Sequence, residues 1–411
     1  MSFFSPKSES NKLRLQMTLT FGGRVAALLC SFVNVVLTAR FWGADGRGAV
    51  AVFMANVGVV MFACKVCTGG AASYHFHRVG FERLSACAYV WCMALAVVMG
   101  AVMACLGDAH PVLYVGATFL VSMSNYYLSV QLARKDILNY NITMLMQPLL
   151  TTVFVALTGG VLGLGHVAYF YSLLAGNVLI LVYNLVTQRD TIVARLPGSL
   201  LIDRKALGRI VSFGWREETA NVMQFLSDRL SYYVLGYCCG VAQVGVFSIA
   251  VALTESVMAV SKSISAVQYS EVINNGDTRS GWVSNRRSIV WAALFSAAGV
   301  AALAVMPDAV FVFVFGKSFG GLQHIIAILG PGVVVASATL VADTYFSAIG
   351  LLDRLILKSG VAFAVAAVAA VAIVPGFGIE GAAVANMLSD VAAVAVIMTS
   401  FARHGRALRG R

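Results

Sequence analysis

Along the chain, apolar positions neither alternate nor keep to one helical face. They run together in long stretches, near residues 18–41, 48–69, 84–106, 111–133, 142–163 and 165–187, and again near 210–236, 243–268, 288–306, 323–348, 357–375 and 381–402. About 20 apolar residues, rising 1.5 Å each, make a helix as long as the hydrocarbon core of a bilayer is thick. Membrane-spanning strands would instead alternate over segments of about ten residues. The pattern predicts an all-α membrane protein of about twelve transmembrane helices. One polar segment interrupts it, around 188–209, with Arg189, Asp190, Arg195, Asp203, Arg204, Lys205 and Arg209. The expected organisation is a six-helix bundle over 1–187, a basic linker over 188–209, and a second six-helix bundle over 210–411 with an Arg-rich tail. The first run is too long for the core of a signal peptide and has no small-x-small cleavage site.

Composition agrees: 59% of the 411 residues are hydrophobic and 11% charged, against roughly 25% charged in soluble proteins, and the mean hydropathy is +0.84. A net charge of +11 would suggest nucleic-acid binding in a soluble protein. In a helical membrane protein it marks cytoplasmic loops, and no nucleic-acid partner is expected. Of the 29 Lys and Arg, only Arg40, Arg47 and Lys317 fall on the side opposite the linker, while Arg216 and Arg229 lie within span seven. Both termini are therefore expected in the cytoplasm. All loops on the other side are short, the longest near 307–322, which leaves no room for a glycosyltransferase or ligase site. Cys30, Cys64, Cys87, Cys92 and Cys105 sit inside apolar runs, as small packing residues do. Neither Cys64 and Cys67 nor His75 and His77 have further ligands nearby, so no metal site is expected. Gly316-Lys317-Ser318 lacks the upstream glycine of a phosphate-binding loop.

The two halves echo each other. Thr20-Phe21-Gly22-Gly23-Arg24 answers Ser212-Phe213-Gly214-Trp215-Arg216 at an offset of 192, and Gly43 and Gly48 answer Gly240 and Gly245 at an offset of 197. With six spans per half the repeat is parallel. Transporters built from such repeats bind substrate between the halves and rock them for alternating access.

The segment beginning Thr20-Phe21-Gly22-Gly23-Arg24 and running through Gly43 and Gly48 resembles the start of bacterial polysaccharide (O-antigen type, Wzx-like) flippases. These belong to the multidrug/oligosaccharidyl-lipid/polysaccharide exporter superfamily. The resemblance continues from Ser212 through Asp228-Arg229 to Gly240 and Gly245, then at Phe315-Gly316-Lys317-Ser318-Phe319 and at Ile349-Gly350-Leu351-Leu352-Asp353-Arg354. It implies a V-shaped pair of six-helix bundles in the bacterial inner membrane. The implied activity is movement of a polyprenyl-diphosphate-linked oligosaccharide between leaflets, with other polysaccharide-assembly proteins as partners; the Arg-rich tail, Arg403 to Arg411, is itself expected to bind anionic membrane lipids or to set topology. Drug-exporting relatives share the twelve-helix plan, so a cation-coupled exporter of drugs or small solutes is the alternative.

Ionisable groups inside a span cost about 2.5–3.5 kcal/mol each at mid-helix, so each needs a reason. In span seven Glu217, Asn221, Gln224, Asp228 and Ser231 are spaced four, three, four and three apart, a polar face about 21 Å long. It faces either a wet cavity or another polar helix. Span one carries a thinner face: Arg24, Ser31, Asn34 and Thr38. Arg24 and Arg216 hold matching positions one to two turns inside the cytoplasmic ends of spans one and seven. Their planar, five-donor guanidinia suit a diphosphate; alternatively, both snorkel to headgroups. Arg229 is read as a ligand or as an ion-pair partner, and Arg40 as a release site or an interface marker. Glu255 in span eight shares a face with Ser248 and Lys262, and with Asp343 and Asp390 it is a candidate for H+ or Na+ coupling. No cofactor is expected. Outward movement of an anionic head also gains about 2.3 kcal/mol per charge per 100 mV of membrane potential, so coupling to an ion is not required.

Overall fold

A computed structural model describes residues 6–188, 204–275 and 278–409; residues 189–203, most of the polar linker, lie outside the described residues. The described residues form helices and turns, with no strand. They are α1 (Pro6–Thr68), α2 (Gly70–Val79), α3 (Phe81–Cys105), α4 (Pro111–Ala133), α5 (Ile137–Val155) with a π-helical extension (Ala156–Val161), and α6 (Val167–Thr187). After the linker come α7 (Arg204–Cys239), α8 (Val241–Val257), α9 (Ala259–Asn275), α10 (Thr278–Val305), α11 (Asp308–Phe315), a 3-10 turn (Lys317–Phe319), α12 (Leu322–Ala348) and α13 (Leu352–Arg409).

Seven helices are long and apolar enough to cross a membrane, eight if the bent pair of α8 and α9 is one span. Two of the seven are 57 and 56 residues long, about 85 Å each at 1.5 Å per residue, and each holds two spans. Their breaks fall at Gly43 (φ 64°, ψ −164°) in α1 and Gly378 (φ 56°, ψ −129°) in α13. A Cβ would clash with the backbone in this left-handed region, so glycine sets the place of the turn. Gly240 (φ 88°, ψ 166°) separates α7 from α8. The glycines matched by the sequence repeat thus make the same turn. α4 and α7 fall short of the apolar criterion because of their polar residues, among them Ser122, Ser124 and Asn125 in α4. With α4, α7 and the bent pair counted, the twelve expected helical segments are present.

Two details differ from the sequence expectation. Span eight is not one straight helix: it bends by 41° between α8 and α9. Span five begins earlier than residue 142, at Ile137, because Asp136 accepts a hydrogen bond from the Asn139 amide (3.3 Å) and caps the helix.

The chain forms two compact units. The first comprises the residues up to Phe41 with Asn56–Glu218, the second Trp42–Ala55 with Thr219 onward. The division runs inside α1 and α7, so the opening of the second span groups with the C-terminal helices and the start of α7 with the N-terminal ones.

The first unit is centred on Cys64, Cys67, Leu84, Cys87, Cys92, Met123, Tyr126, Tyr127 and Ile210. Its buried phenols are satisfied by Ser85 on Tyr126 (2.7 Å) and Tyr89 on Tyr127 (2.8 Å). Between α4, α5 and α6, Gln131 donates to Asn184 (2.7 Å) and to Thr143 (3.1 Å), and Ser124 donates to Asn177 (2.9 Å). Such bonds hold membrane helices together where apolar contact alone favours neither helix nor lipid. In the second unit α12 packs on α10, α13, α9 and α8. Trp282, Tyr345, Phe346 and Phe401 form its aromatic core, with the Trp282 indole donating to the Phe401 carbonyl (3.2 Å). Buried Ala362, Ala366, Ala370, Ala382, Ala383 and Ala385 let α13 approach its neighbours closely.

Candidate functional site

The polar face of α7 divides in two. Toward its C-terminal end it is a seam with the second part of α13. Ser231 donates to Asn386 (2.6 Å), and Ser227 pairs with Ser389 (2.7 Å), which donates onward to the Ala362 carbonyl (3.0 Å). One turn earlier, Gln224 donates to Asp228 (3.0 Å). Asn221 is exposed, and the side chain of Glu217 lies outside the described residues. Of the two readings of this face, contact with another polar helix accounts for Ser231.

Arg229 follows Asp228 and so projects about 100° further round the helix. It pairs with Glu255 on α8 (3.0 Å), the two side chains being 21% and 46% exposed, and donates to the Tyr232 hydroxyl (2.8 Å). The guanidinium also lies over the Tyr232 and Phe225 rings, 5.0 and 5.7 Å from their centres. The expected partnership of Glu255 with Ser248 and Lys262 on one face is corrected. Ser248 instead takes a bond from Arg47 (3.1 Å) and donates to the Gly245 carbonyl (2.8 Å), while Lys262 lies past the bend on α9 and is exposed.

A second ion pair joins α12 to α13: the Lys358 ammonium donates to Asp343 Oδ2 (2.7 Å). Lys358 is 5% exposed. Lys358 opens the apolar run 357–375, and its ammonium points into the unit. Asp390 sits against Gly332 of α12, where a Cβ would stand 3.0 Å from its Oδ2. The second unit therefore holds two cation–carboxylate contacts, Lys358–Asp343 and Arg229–Glu255. The sequence carries a signal for the first, a lysine inside an apolar run next to Ser359.

In the first unit, Arg24 on α1 and Arg216 on α7 are both exposed, and among the described residues neither makes a hydrogen bond or ion pair. Asn34 is turned inward, 8% exposed. Thr38 is fully buried and bonds back to the Asn34 and Val35 carbonyls (2.9 Å each), so its hydroxyl is satisfied within its own helix. Ser31 does the same to Ala27 (2.9 Å). Two of the four polar residues on this face of span one thus bond back to their own helix. Arg40 is exposed near the Gly43 turn. Around α2, arginines and aromatic rings interleave. Tyr74 stacks on Phe213 at 4.5 Å, Arg78 lies 4.2 Å from the Tyr74 ring, and Arg134 lies 5.3 Å from the Phe81 ring. Arg216 is one turn beyond Phe213 on α7.

The profile of the family described as "Polysaccharide biosynthesis protein" matches residues 79–322, more than half of the chain. Against curated proteins the sequence has no match. Solved structures share the fold. An inward-facing multidrug resistance MATE family transporter of the MOP superfamily superposes with a TM-score of 0.74 at 14% identity, covering 93% of this chain and 96% of the other. The lipid II flippase MurJ in an inward closed conformation gives 0.72 at 12% identity, covering 94% and 87%. A MOP superfamily transporter from Pyrococcus furiosus, described as having a binding pocket of reverse polarity, gives 0.67 at 14% identity, covering 97% and 96%.

Proposed function

The chain belongs to the polysaccharide biosynthesis protein family, and from that membership we propose that it carries a polyprenyl-diphosphate-linked oligosaccharide from the cytoplasmic to the outer leaflet. The reading is of a multi-pass flippase in the bacterial inner membrane with both termini in the cytoplasm. Arg24 and Arg216 receive the diphosphate, the glycan meets polar side chains such as Asn221 and Gln224, and the prenyl chain stays in lipid. Rocking of the two halves then exposes the load outward.

The observation that carries this reading is the state of the two arginines. In a chain that is 11% charged, Arg24 and Arg216 hold equivalent repeat positions and are exposed, and among the described residues neither pairs with a carboxylate. Arg229 is engaged by Glu255, which leaves it less suited to a ligand. A site for organic cations calls for exposed carboxylates, whereas Glu255 and Asp343 are already paired with cations. Among the described coupling candidates only Asp390 has no ion-pair partner. We therefore take the membrane potential as the driving force, at about 2.3 kcal/mol per charge per 100 mV.

The test is translocation of a fluorescent short-chain polyprenyl-diphosphate disaccharide in vesicles holding the purified protein. Movement should follow an imposed potential, negative on the loading side, and fall to the protein-free rate in the Arg24→Ala/Arg216→Ala double variant. Unchanged movement in that variant overturns the clamp. Movement of organic cations with none of the diphosphate assigns the chain to drug export.

A further inference from the structure

The two faces of α10 differ in character. One is packed: Trp282, Asn285, Ala292 and Ser296 are buried, Asn285 donates to the Val341 carbonyl of α12 (3.1 Å), and Ser296 donates to Ser337 (2.7 Å). The other carries Val283, Arg286, Arg287, Val290, Trp291 and Leu294, spaced three, one, three, one and three apart and all exposed. Among the described residues no helix covers this face, where Val290, Trp291 and Leu294 are 54%, 48% and 54% exposed. Large apolar side chains left open on a helix that enters an apolar run at residue 288 belong against acyl chains.

The same face begins with charge. Arg286 and Arg287 stand just ahead of the apolar run, and among the described residues neither guanidinium makes an ion pair or hydrogen bond. A carboxylate that does reach this stretch of α10, Glu271 on α9, is taken up by Gln268 and Ser284, which donate to it at 3.1 Å each. The two arginines, Trp291 and the three apolar side chains line a groove of about 380 Å³, within the range of roughly 300–1,000 Å³ that small-ligand sites occupy. Trp291 stands one turn past Arg287, its ring 5.9 Å from that of Phe295. An indole at this level marks the boundary between headgroups and hydrocarbon, and its N–H is open to an ester carbonyl. Guanidinium, then indole, then hydrocarbon follow one another over about 12 Å of helix. Phosphate, glycerol esters and acyl chains follow one another in the same order in a phospholipid. A second copy of the chain suits the face poorly, because a two-fold contact would bring the arginines of both copies together with no carboxylate between them.

We propose that this face of α10 binds one anionic glycerophospholipid, with Arg286 and Arg287 on its headgroup phosphate, the Trp291 indole at its esters, and its acyl chains along Val290 and Leu294. The inference rests on the chain being a membrane protein and not on what it carries.

The test is native mass spectrometry of the purified, delipidated full-length chain, titrated with phosphatidylglycerol or phosphatidylethanolamine of identical acyl chains. Phosphatidylglycerol should bind first, as a single lipid, and about tenfold more tightly than phosphatidylethanolamine. Arg286→Gln/Arg287→Gln should lose that preference while keeping its unfolding temperature in detergent. Trp291→Ala should weaken both lipids alike. Free glycerol phosphate at the same concentration should not displace the bound lipid, because hydrocarbon contacts supply part of its hold. Equal binding of the two lipids by the native protein, or a preference that survives the double substitution, overturns the proposal. So does displacement by glycerol phosphate, which assigns the groove to a soluble phosphate. A dimer that the double substitution dissociates assigns the face to a second copy and overturns it as well. Should the double variant not accumulate, Arg286→Gln and Arg287→Gln carry the test singly, each reducing the preference about threefold; no reduction in either overturns the proposal. No readout involves a glycan or a polyprenyl carrier, so these outcomes are separate from those that test flipping.

Discussion

Gly48 lies against the backbone carbonyl of Val241, and Gly245 lies against that of Ala44. The four residues form two pairs related by the same offset of 197 that relates the two halves of the sequence, so the contact is a symmetric crossing of the helices that follow Gly43 and Gly240. A Cβ at either glycine would overlap the facing carbonyl. The crossing exists because neither position carries a side chain.

Substitution at this crossing should therefore be costly. Gly48→Ala and Gly245→Ala are each expected to lose about 1–3 kcal/mol through overpacking against rigid backbone. The check is a lowered unfolding temperature of the solubilised protein, with normal membrane insertion.

The other arm of the repeat is unequal. Gly214 packs on the Val66 backbone, whereas its counterpart Gly22 has no atom within 4 Å of where a Cβ would stand. Gly214→Ala should destabilise as Gly48→Ala does, and Gly22→Ala should leave the unfolding temperature unchanged. Equal effects at both would contradict the asymmetry.

The seam between α7 and α13 gives a prediction of smaller size. Ser231→Ala and Asn386→Ala each remove the same 2.6 Å bond. Each should cost about 0.6–1.7 kcal/mol, and the double variant should cost little more than either single one. Additive losses would show that the bond does not join the two residues as described.

Much of the architecture is legible in the sequence. Apolar runs set the number of helical segments, and Gly43 and Gly240 mark their turns, because bilayer thickness and left-handed backbone geometry leave few choices. The polar groups are less legible. The spacing of Gln224, Asp228 and Ser231 reveals a common face, but the partner of each depends on which helix packs there, and periodicity within one helix carries no such information. Spacing matches Glu255 to Lys262, and the bend between α8 and α9 undoes that match. Lys358 stands out as a lysine at the start of an apolar run, but only the packing of α12 on α13 shows its ammonium turned inward onto Asp343. Arg24 and Arg216 stand out through the repeat, a signal that survives without knowledge of packing.

Two exposed guanidinia meeting a diphosphate make a contact between charges in partial contact with water, and such contacts are screened by salt. The most direct measurement is binding of a short-chain polyprenyl-diphosphate oligosaccharide to the purified protein across a range of ionic strength. Affinity should fall steadily as salt rises, and binding should be lost in the Arg24→Ala/Arg216→Ala double variant while its unfolding temperature is kept. Binding that ignores salt and survives the double substitution would contradict a diphosphate held by these arginines.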